Sequence, residues 1–183
     1  MALIILIGLP GSGKSTVGRL LARRLQLPFV DSDHAIEQRL GCSIREFFER
    51  EGEARFRDVE QAVLDELTQG PPCVLSTGGG AVLRPTNRHC LRERGQVFYL
   101  RSAPEEVFRR VQHDRSRPLL QVADPLQKLR ELHTQRDPLY RETAHCVVET
   151  GRPSVSSLVN WIAARLELPP APLNPAHASD ASH

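Results

Sequence analysis

Lysine is almost missing from this 183-residue chain: of its 24 basic residues only Lys14 and Lys128 are lysines, and the rest are arginines. A lysine in a motif position is therefore informative. A surplus of one charge is missing too, since 22 acidic residues leave a net charge of +2. That is too near balance for a protein whose main partner is a nucleic-acid backbone or an anionic membrane, and the few aromatics (5%) form no cluster with basic residues. Long apolar runs are absent. The N-terminal stretch Met1 to Ile7 stops at Gly8 and Pro10, short of a membrane span and without the basic start of a secretory leader, so a cytoplasmic protein is expected. Cys42, Cys73, Cys90 and Cys146 form no CxxC and no Cys/His pair, which argues against zinc and against a disulfide framework. They read as reduced thiols, mostly small core hydrophobes. The seven histidines likewise form no metal-ligand cluster, and His34 reads as a helix-start surface residue.

What is present is ordinary soluble composition, 40% hydrophobic and 25% charged, over a length that suits one core. Apolar runs bounded by turn residues alternate with amphipathic stretches, the pattern of βαβ units around a parallel sheet. Strands are expected at Leu3 to Ile7, Pro28 to Val30, Cys73 to Ser76, Val97 to Leu100 and Cys146 to Glu149, five in all. Val59, Ala62, Val63 and Leu67 recur at helical spacing, and Ser43 to Glu46 and Ser102 to Glu105 each have the form of a capping box. Residues 1–168 are expected to form one domain. Residues 169–183, with four prolines, one Asp and no Lys or Arg, have a tail composition that cannot build a core.

Gly8-Leu9-Pro10-Gly11-Ser12-Gly13-Lys14-Ser15 fits G-x-x-x-x-G-K-[ST], between the first apolar run and an amphipathic stretch with Val17, Leu20 and Leu21. Glycines let backbone N–H groups wrap a polyphosphate, and the following helix adds the positive end of its dipole. Lys14 can reach the β- and γ-phosphates, and the Ser15 hydroxyl can ligate Mg²⁺. The motif implies nucleotide binding without saying what is done with the nucleotide. No Asn-Lys-x-Asp or Asp-x-x-Gly occurs, which disfavours a guanine-specific switch.

Asp31-Ser32-Asp33 ends the second expected strand and emerges on the same carboxyl edge as the phosphate loop. On an extended backbone the two carboxylates would face one side, one supporting hydrated Mg²⁺ and one accepting a hydrogen bond from an alcohol. The alternative is that Asp31 or Ser32 only caps the next helix. Thr77-Gly78-Gly79-Gly80 follows the third strand, and three glycines permit close backbone approach to a ligand. Arg57 and Arg136 could each clamp a carboxylate, although nothing physical singles them out among so many arginines. The polar stretch from Asp114 to Ala123 reads as a lid, about residues 113–123, with Arg115 and Arg117 available to the transferring phosphoryl group.

Taken in order, Gly8 to Ser15, Asp31-Ser32-Asp33, Phe56-Arg57, Gly78-Gly79-Gly80, Arg117-Pro118-Leu119-Leu120 and Arg136 with Leu139-Tyr140 closely resemble shikimate kinase over about residues 3 to 166. The resemblance implies a nucleoside-monophosphate-kinase-like α/β/α P-loop fold around a five-stranded parallel sheet. It also implies transfer of the γ-phosphoryl of ATP to the 3-hydroxyl of shikimate, a step of aromatic amino-acid synthesis, by an enzyme commonly monomeric. By the same resemblance Gly11, Ser12, Gly13, Lys14, Ser15 and Thr16 hold ATP, with Arg110 and Arg152 toward the adenine and Arg117 on the phosphates. Ser15 would ligate Mg²⁺, with Asp31 acting through water. Asp33, Arg57, Gly79 and Arg136 would bind shikimate, and Lys14, Asp33 and Arg117 would carry catalysis. Two rivals stand beside it, another small-metabolite kinase such as a gluconate kinase and a noncatalytic nucleotide-binding regulator. Asp33, Arg57 and Arg136 speak against the first, and the retention of Lys14, Ser15, Asp33 and Arg117 against the second.

Overall fold

The structure, a computed structural model, describes residues 3–113, 122–151 and 154–167. Arg115, Arg117, Arg152, most of the expected lid and the whole expected tail lie outside the described residues.

Five strands form one parallel sheet: β1 (Leu3–Ile7), β2 (Phe29–Asp31), β3 (Val74–Ser76), β4 (Gly95–Arg101) and β5 (Cys146–Glu149). Their order is β2-β3-β1-β4-β5, with Ile5 opposite Leu75 on one side and Val97 on the other. β1 is therefore central and buried on both faces, as its unbroken Leu-Ile-Ile-Leu-Ile run requires. Alternate residues go to opposite layers. Ile4 and Leu6 pack with Val17 and Leu21 of α1 (Lys14–Leu25) and with Leu158 and Ile162 of α8 (Val155–Glu167). Leu3, Ile5 and Ile7 pack with Leu64, Leu91, Val107 and Leu129. Those four come from α4 (Glu53–Leu67), α5 (Pro85–Arg94), α6 (Pro104–Val111) and α7 (Pro125–Thr143). A smaller cluster of Ile36, Phe47, Phe56 and Val63 joins α4 to α2 (Ser32–Leu40) and α3 (Ile44–Glu51). Each fully buried aliphatic contributes about 1.5–3 kcal/mol, so the sheet layers dominate the fold and the small cluster holds one wall of the site.

Local signals succeed and fail for identifiable reasons. Ser43 caps α3, its Oγ accepting from the Glu46 N–H at 3.1 Å, as its pattern predicts. Ser102 does not cap α6, whose N-cap is Ala103. Its hydroxyl instead pairs with Thr150 Oγ1, a partner 48 residues away. On α4 Val63 is buried and Val59 and Leu67 pack partly buried against the same cluster, as the spacing predicts, whereas Ala62 is exposed and Phe56, Glu60 and Leu64 complete the core face. All four cysteines are free: Cys73 is buried in the core, Cys42 and Cys146 pack partly buried against core clusters as expected, and Cys90 alone joins none. Among the described residues no helix is long and apolar enough to cross a membrane, and no group of three His, Cys, Asp or Glu could hold a metal ion.

Candidate active site

The carboxyl end of β1 runs straight into the phosphate loop. Gly13 is the N-cap of α1 at φ 93°, a left-handed conformation that a side chain would strain. No side chain caps α1 and its first turn has no acidic residue, which leaves the helix N-terminus available to an anion. Lys14 is 7% exposed, and its Nζ donates to the carbonyls of Gly8 and Leu9, both at 2.8 Å, and to Ser12 Oγ at 3.4 Å. The ammonium is thus held inside the loop it serves.

Asp31 and Asp33 both reach the cleft, by a route different from the one expected. β2 extends to Asp31, but Ser32 already begins α2, so Asp33 sits in a helical turn and not on extended backbone. Asp31 both caps and faces the site. Its Oδ1 accepts from the Asp33 N–H at 3.0 Å while its Oδ2 accepts from Ser15 Oγ at 3.3 Å. A hydroxyl and a carboxylate converging beside a phosphate loop are hard oxygen donors, and they fit Mg²⁺. Burial pushes the Asp33 carboxyl up to about 6; the neighbouring charges of Asp31, Glu60 and Glu37 add to the rise, and Lys14 opposes it.

The loop after β3 closes the other side. Thr77 ties it to β1, its Oγ1 donating to the Leu6 carbonyl at 2.9 Å. The three glycines then each meet a different neighbour. A β-carbon on Gly78 would lie 2.6 Å from Asp33 Oδ1, one on Gly79 would lie 2.6 Å from Pro10 Cδ, and one on Gly80 would lie 2.6 Å from Arg57 Cζ. The need for glycine here is close packing of three site elements against one loop. Pro10, Lys14, Ser15, Asp31, Asp33 and Gly79 all line a single cleft of 390 Å³, which Gly11, Gly13, Thr16 and Arg110 complete on the phosphate-loop side.

Beyond Gly80 the site turns basic. Arg57 donates to Glu60 Oε1 at 2.9 Å, and Glu60 is 1% exposed. Burial raises the Glu60 carboxyl, against the opposing charges of Arg57, Arg136 and Arg84. Arg57 Nε and Arg136 Nε are buried and have no hydrogen-bond partner among the described residues. Arg136 comes from α7, which continues through Pro138 although that residue supplies no N–H. Asp137 just before it is fixed by Tyr99 Oη at 2.7 Å and Arg141 Nε at 2.9 Å. Arg110 stands behind the phosphate loop, with Nη1 donating to the Ser12 carbonyl at 3.1 Å.

Glu60 and Tyr140 are the residues whose part in this site sequence reasoning missed. Glu60 left a trace, a carboxylate on the otherwise apolar core face of α4. Tyr140 left one only through the resemblance, which includes Leu139-Tyr140 but gives Tyr140 no role.

A central parallel strand feeding a phosphate loop, with an aspartate in the same cleft and the buried guanidinium nitrogens of Arg57 and Arg136 outside its lining, defines a P-loop kinase for a small acceptor. A family model described as shikimate kinase matches residues 10–167, and the chain belongs to that family. It is an ATP-dependent phosphotransferase with an alcohol acceptor. The shikimate kinase of Paracidovorax citrulli is 64% identical over 176 residues, covering 92% of this chain and 96% of the relative. That of Ralstonia nicotianae is 54% identical, covering 98% and 94%. The structure of shikimate kinase from Acinetobacter baumannii in complex with shikimate is 47% identical with a TM-score of 0.87, covering 91% of this chain and 93% of the other.

Proposed function

We propose that this chain transfers the γ-phosphoryl group of ATP to the 3-hydroxyl of shikimate, giving shikimate 3-phosphate and ADP for aromatic amino-acid synthesis. It would do so as a monomeric, one-domain enzyme of the cytoplasm. The observation that carries this reading is the position of Asp33: one carboxylate, raised to about 6, in the same cleft as Lys14, beside the glycine loop that leads to Arg57. The Acinetobacter relative binds the same acceptor by name, and shikimate, an anionic polyol, is what such a site complements.

In this reading Gly11 to Thr16 cradle the phosphates with backbone N–H groups and the Lys14 ammonium, which leaves its loop carbonyls for phosphate oxygens. Arg110 lies toward the adenine side; Arg152 and Arg117 keep their sequence-based assignments, to the adenine and the phosphates. Ser15 and, through water, Asp31 would hold Mg²⁺, which supplies charge neutralisation between the β- and γ-phosphates when bound. Arg57 and Arg136 clamp the shikimate carboxylate, with the Gly79 backbone along the ring. Asp33 accepts the proton of the 3-hydroxyl as that oxygen bonds to the γ-phosphorus. The bond from γ-phosphorus to the bridging oxygen breaks, and its electron pair leaves on ADP. A carboxyl near 6 is ionised at neutral pH yet basic enough to take a proton late in transfer, so Asp33 orients first and accepts second. Glu60 offsets the paired guanidiniums when the acceptor is away.

Release of ADP from MgATP, with shikimate, gluconate and a panel of nucleoside monophosphates as separate acceptors, tests the assignment. Turnover is expected with shikimate alone. Turnover with another acceptor would keep the phosphate loop and overturn the acceptor pocket.

A further inference from the structure

Helix α7 carries Arg136 and, one turn later, Tyr140, whose hydroxyl reaches Gly79 in the cleft wall. Tyr140 is completely buried, and its hydroxyl donates to the carbonyl of Gly79 at 2.5 Å, across 61 residues of sequence. Arg136 precedes Tyr140 by one turn on the same helix, and its buried Nε has no hydrogen-bond partner among the described residues. From the other side Gly79 rests on Pro10 of the phosphate loop so closely that a β-carbon there would lie 2.6 Å from Pro10 Cδ. The Gly79–Gly80 peptide is therefore gripped between α7 and the phosphate loop. Because a peptide is planar, fixing the Gly79 carbonyl also fixes the Gly80 N–H on its opposite edge. The phenol ring is itself set by Tyr99, with centroids 4.8 Å apart at 36°. Tyr99 spends its own hydroxyl on Asp137, at 2.7 Å, and so makes no equivalent link.

We propose that Tyr140 is a positioning residue of the acceptor site: its hydroxyl ties α7, which carries Arg136 one turn earlier, to the Gly79–Gly80 peptide, so that this stretch of helix and the glycine backbone meet the acceptor in a preset arrangement. This rests on the acceptor roles given above to Arg136 and Gly79. Burial holds the Tyr140 hydroxyl at about 12, so it stays a donor throughout any ordinary assay range.

Tyr140→Phe keeps the ring and removes the link. The KM for shikimate should rise roughly three- to tenfold, the scale of one buried hydrogen bond, while the KM for ATP stays within about twofold. Tyr99→Phe is the comparator, because it also deletes a buried phenol hydroxyl and lowers Tm but leaves the acceptor KM where it was. An unchanged acceptor KM in Tyr140→Phe, or an equal rise in Tyr99→Phe, overturns the proposal. Amide NMR of the protein without substrate gives a second readout: the Gly79 and Gly80 resonances should shift in Tyr140→Phe and hold in Tyr99→Phe. If the parent protein fails to phosphorylate shikimate, the acceptor assignment falls while these resonances still decide the tether, and their constancy would refute it.

Discussion

Replacing Asp33 by Asn should separate stability from activity in opposite directions. The carboxyl is raised from 3.8 to about 6, first by burial and then by Asp31, Glu60 and Glu37. A folded-state value above the unfolded one means that the native protein binds this proton more tightly. Stability from this group is therefore greatest at low pH, falls as pH rises from about 4 to about 6, and stays at the lower level above that. At 1.36 kcal/mol per pH unit the ceiling on the cost at pH 7 is about 3 kcal/mol. Asn has the same shape and no charge, so Asp33→Asn should raise Tm at pH 7 and converge on the parent near pH 4. Its turnover should fall by two to four orders of magnitude, the usual scale for a lost proton acceptor, with ATP binding retained. With both substrates well below saturation the rate reports the free enzyme, and the parent rate should drop about tenfold per pH unit below 6. Urea titration and coupled ADP release at pH 4.5 to 8 measure both effects. An Asp33→Asn enzyme that keeps the parental rate, or is no more stable at pH 7 than at pH 4 relative to the parent, would refute the reasoning.

Three further outcomes are expected. Gly80→Ala should weaken shikimate about tenfold with little loss of Tm, because the new β-carbon meets Arg57, a side-chain end that can move, and not backbone; an unchanged acceptor KM would show that Arg57 is not held where the acceptor needs it. Glu60→Ala should cost up to about 3 kcal/mol in urea unfolding, since it strips the buried partner from Arg57 and leaves that guanidinium only the exposed Glu53 at 3.4 Å, and Glu60→Gln should cost less. His145 accepts the Val97 N–H on Nδ1 at 3.0 Å, and burial and Arg92 hold its imidazolium form below the ordinary value. Its folded-state value is the lower one, so its contribution is present above about pH 6.5 and lost as pH falls. In the Asp33→Asn, Glu60→Gln background, where both raised carboxylates are gone, Tm should drop between pH 7 and pH 5, and a flat profile would remove His145 from that account.

What the sequence makes legible here is what is encoded in neighbours along the chain. The phosphate loop is eight consecutive residues between a strand and a helix, and the five strands announce themselves by short apolar runs between turns. Asp31 and Asp33 are readable as a pair at a sheet edge and Asp31 as a helix cap, though as alternatives, whereas Asp31 does both and Asp33 sits in the first helical turn. The acceptor half is different in kind. Arg57 and Arg136 could be chosen only through the family resemblance, because the contacts that distinguish them from other arginines join α4, α7 and the loop after β3. Ser102 shows the converse error: its local spacing reads as a cap, and Thr150, just past the end of β5, takes the hydroxyl instead. Glu60 violates the rule that a core face is apolar, and such violations mark function more often than they mark misfolding.

The glycine triplet explains why the two halves of this site must be built together. Phosphoryl transfer asks the protein mainly for alignment, and a misplacement of about 1 Å can cost on the order of a hundredfold in rate. Gly78 abuts Asp33, Gly79 abuts Pro10 of the phosphate loop, and Gly80 abuts Arg57, all within one turn of chain anchored to β1 through Thr77. A side chain at any of the three would shift a different participant relative to the other two. The loop thus acts as a common reference for donor and acceptor, and its backbone must be fixed although it has no side chains with which to fix itself. The fixing comes from outside, from Pro10 on one side and the Tyr140 hydroxyl on the other. That division of labour places the determinants of alignment in residues that never need to touch the transferred group.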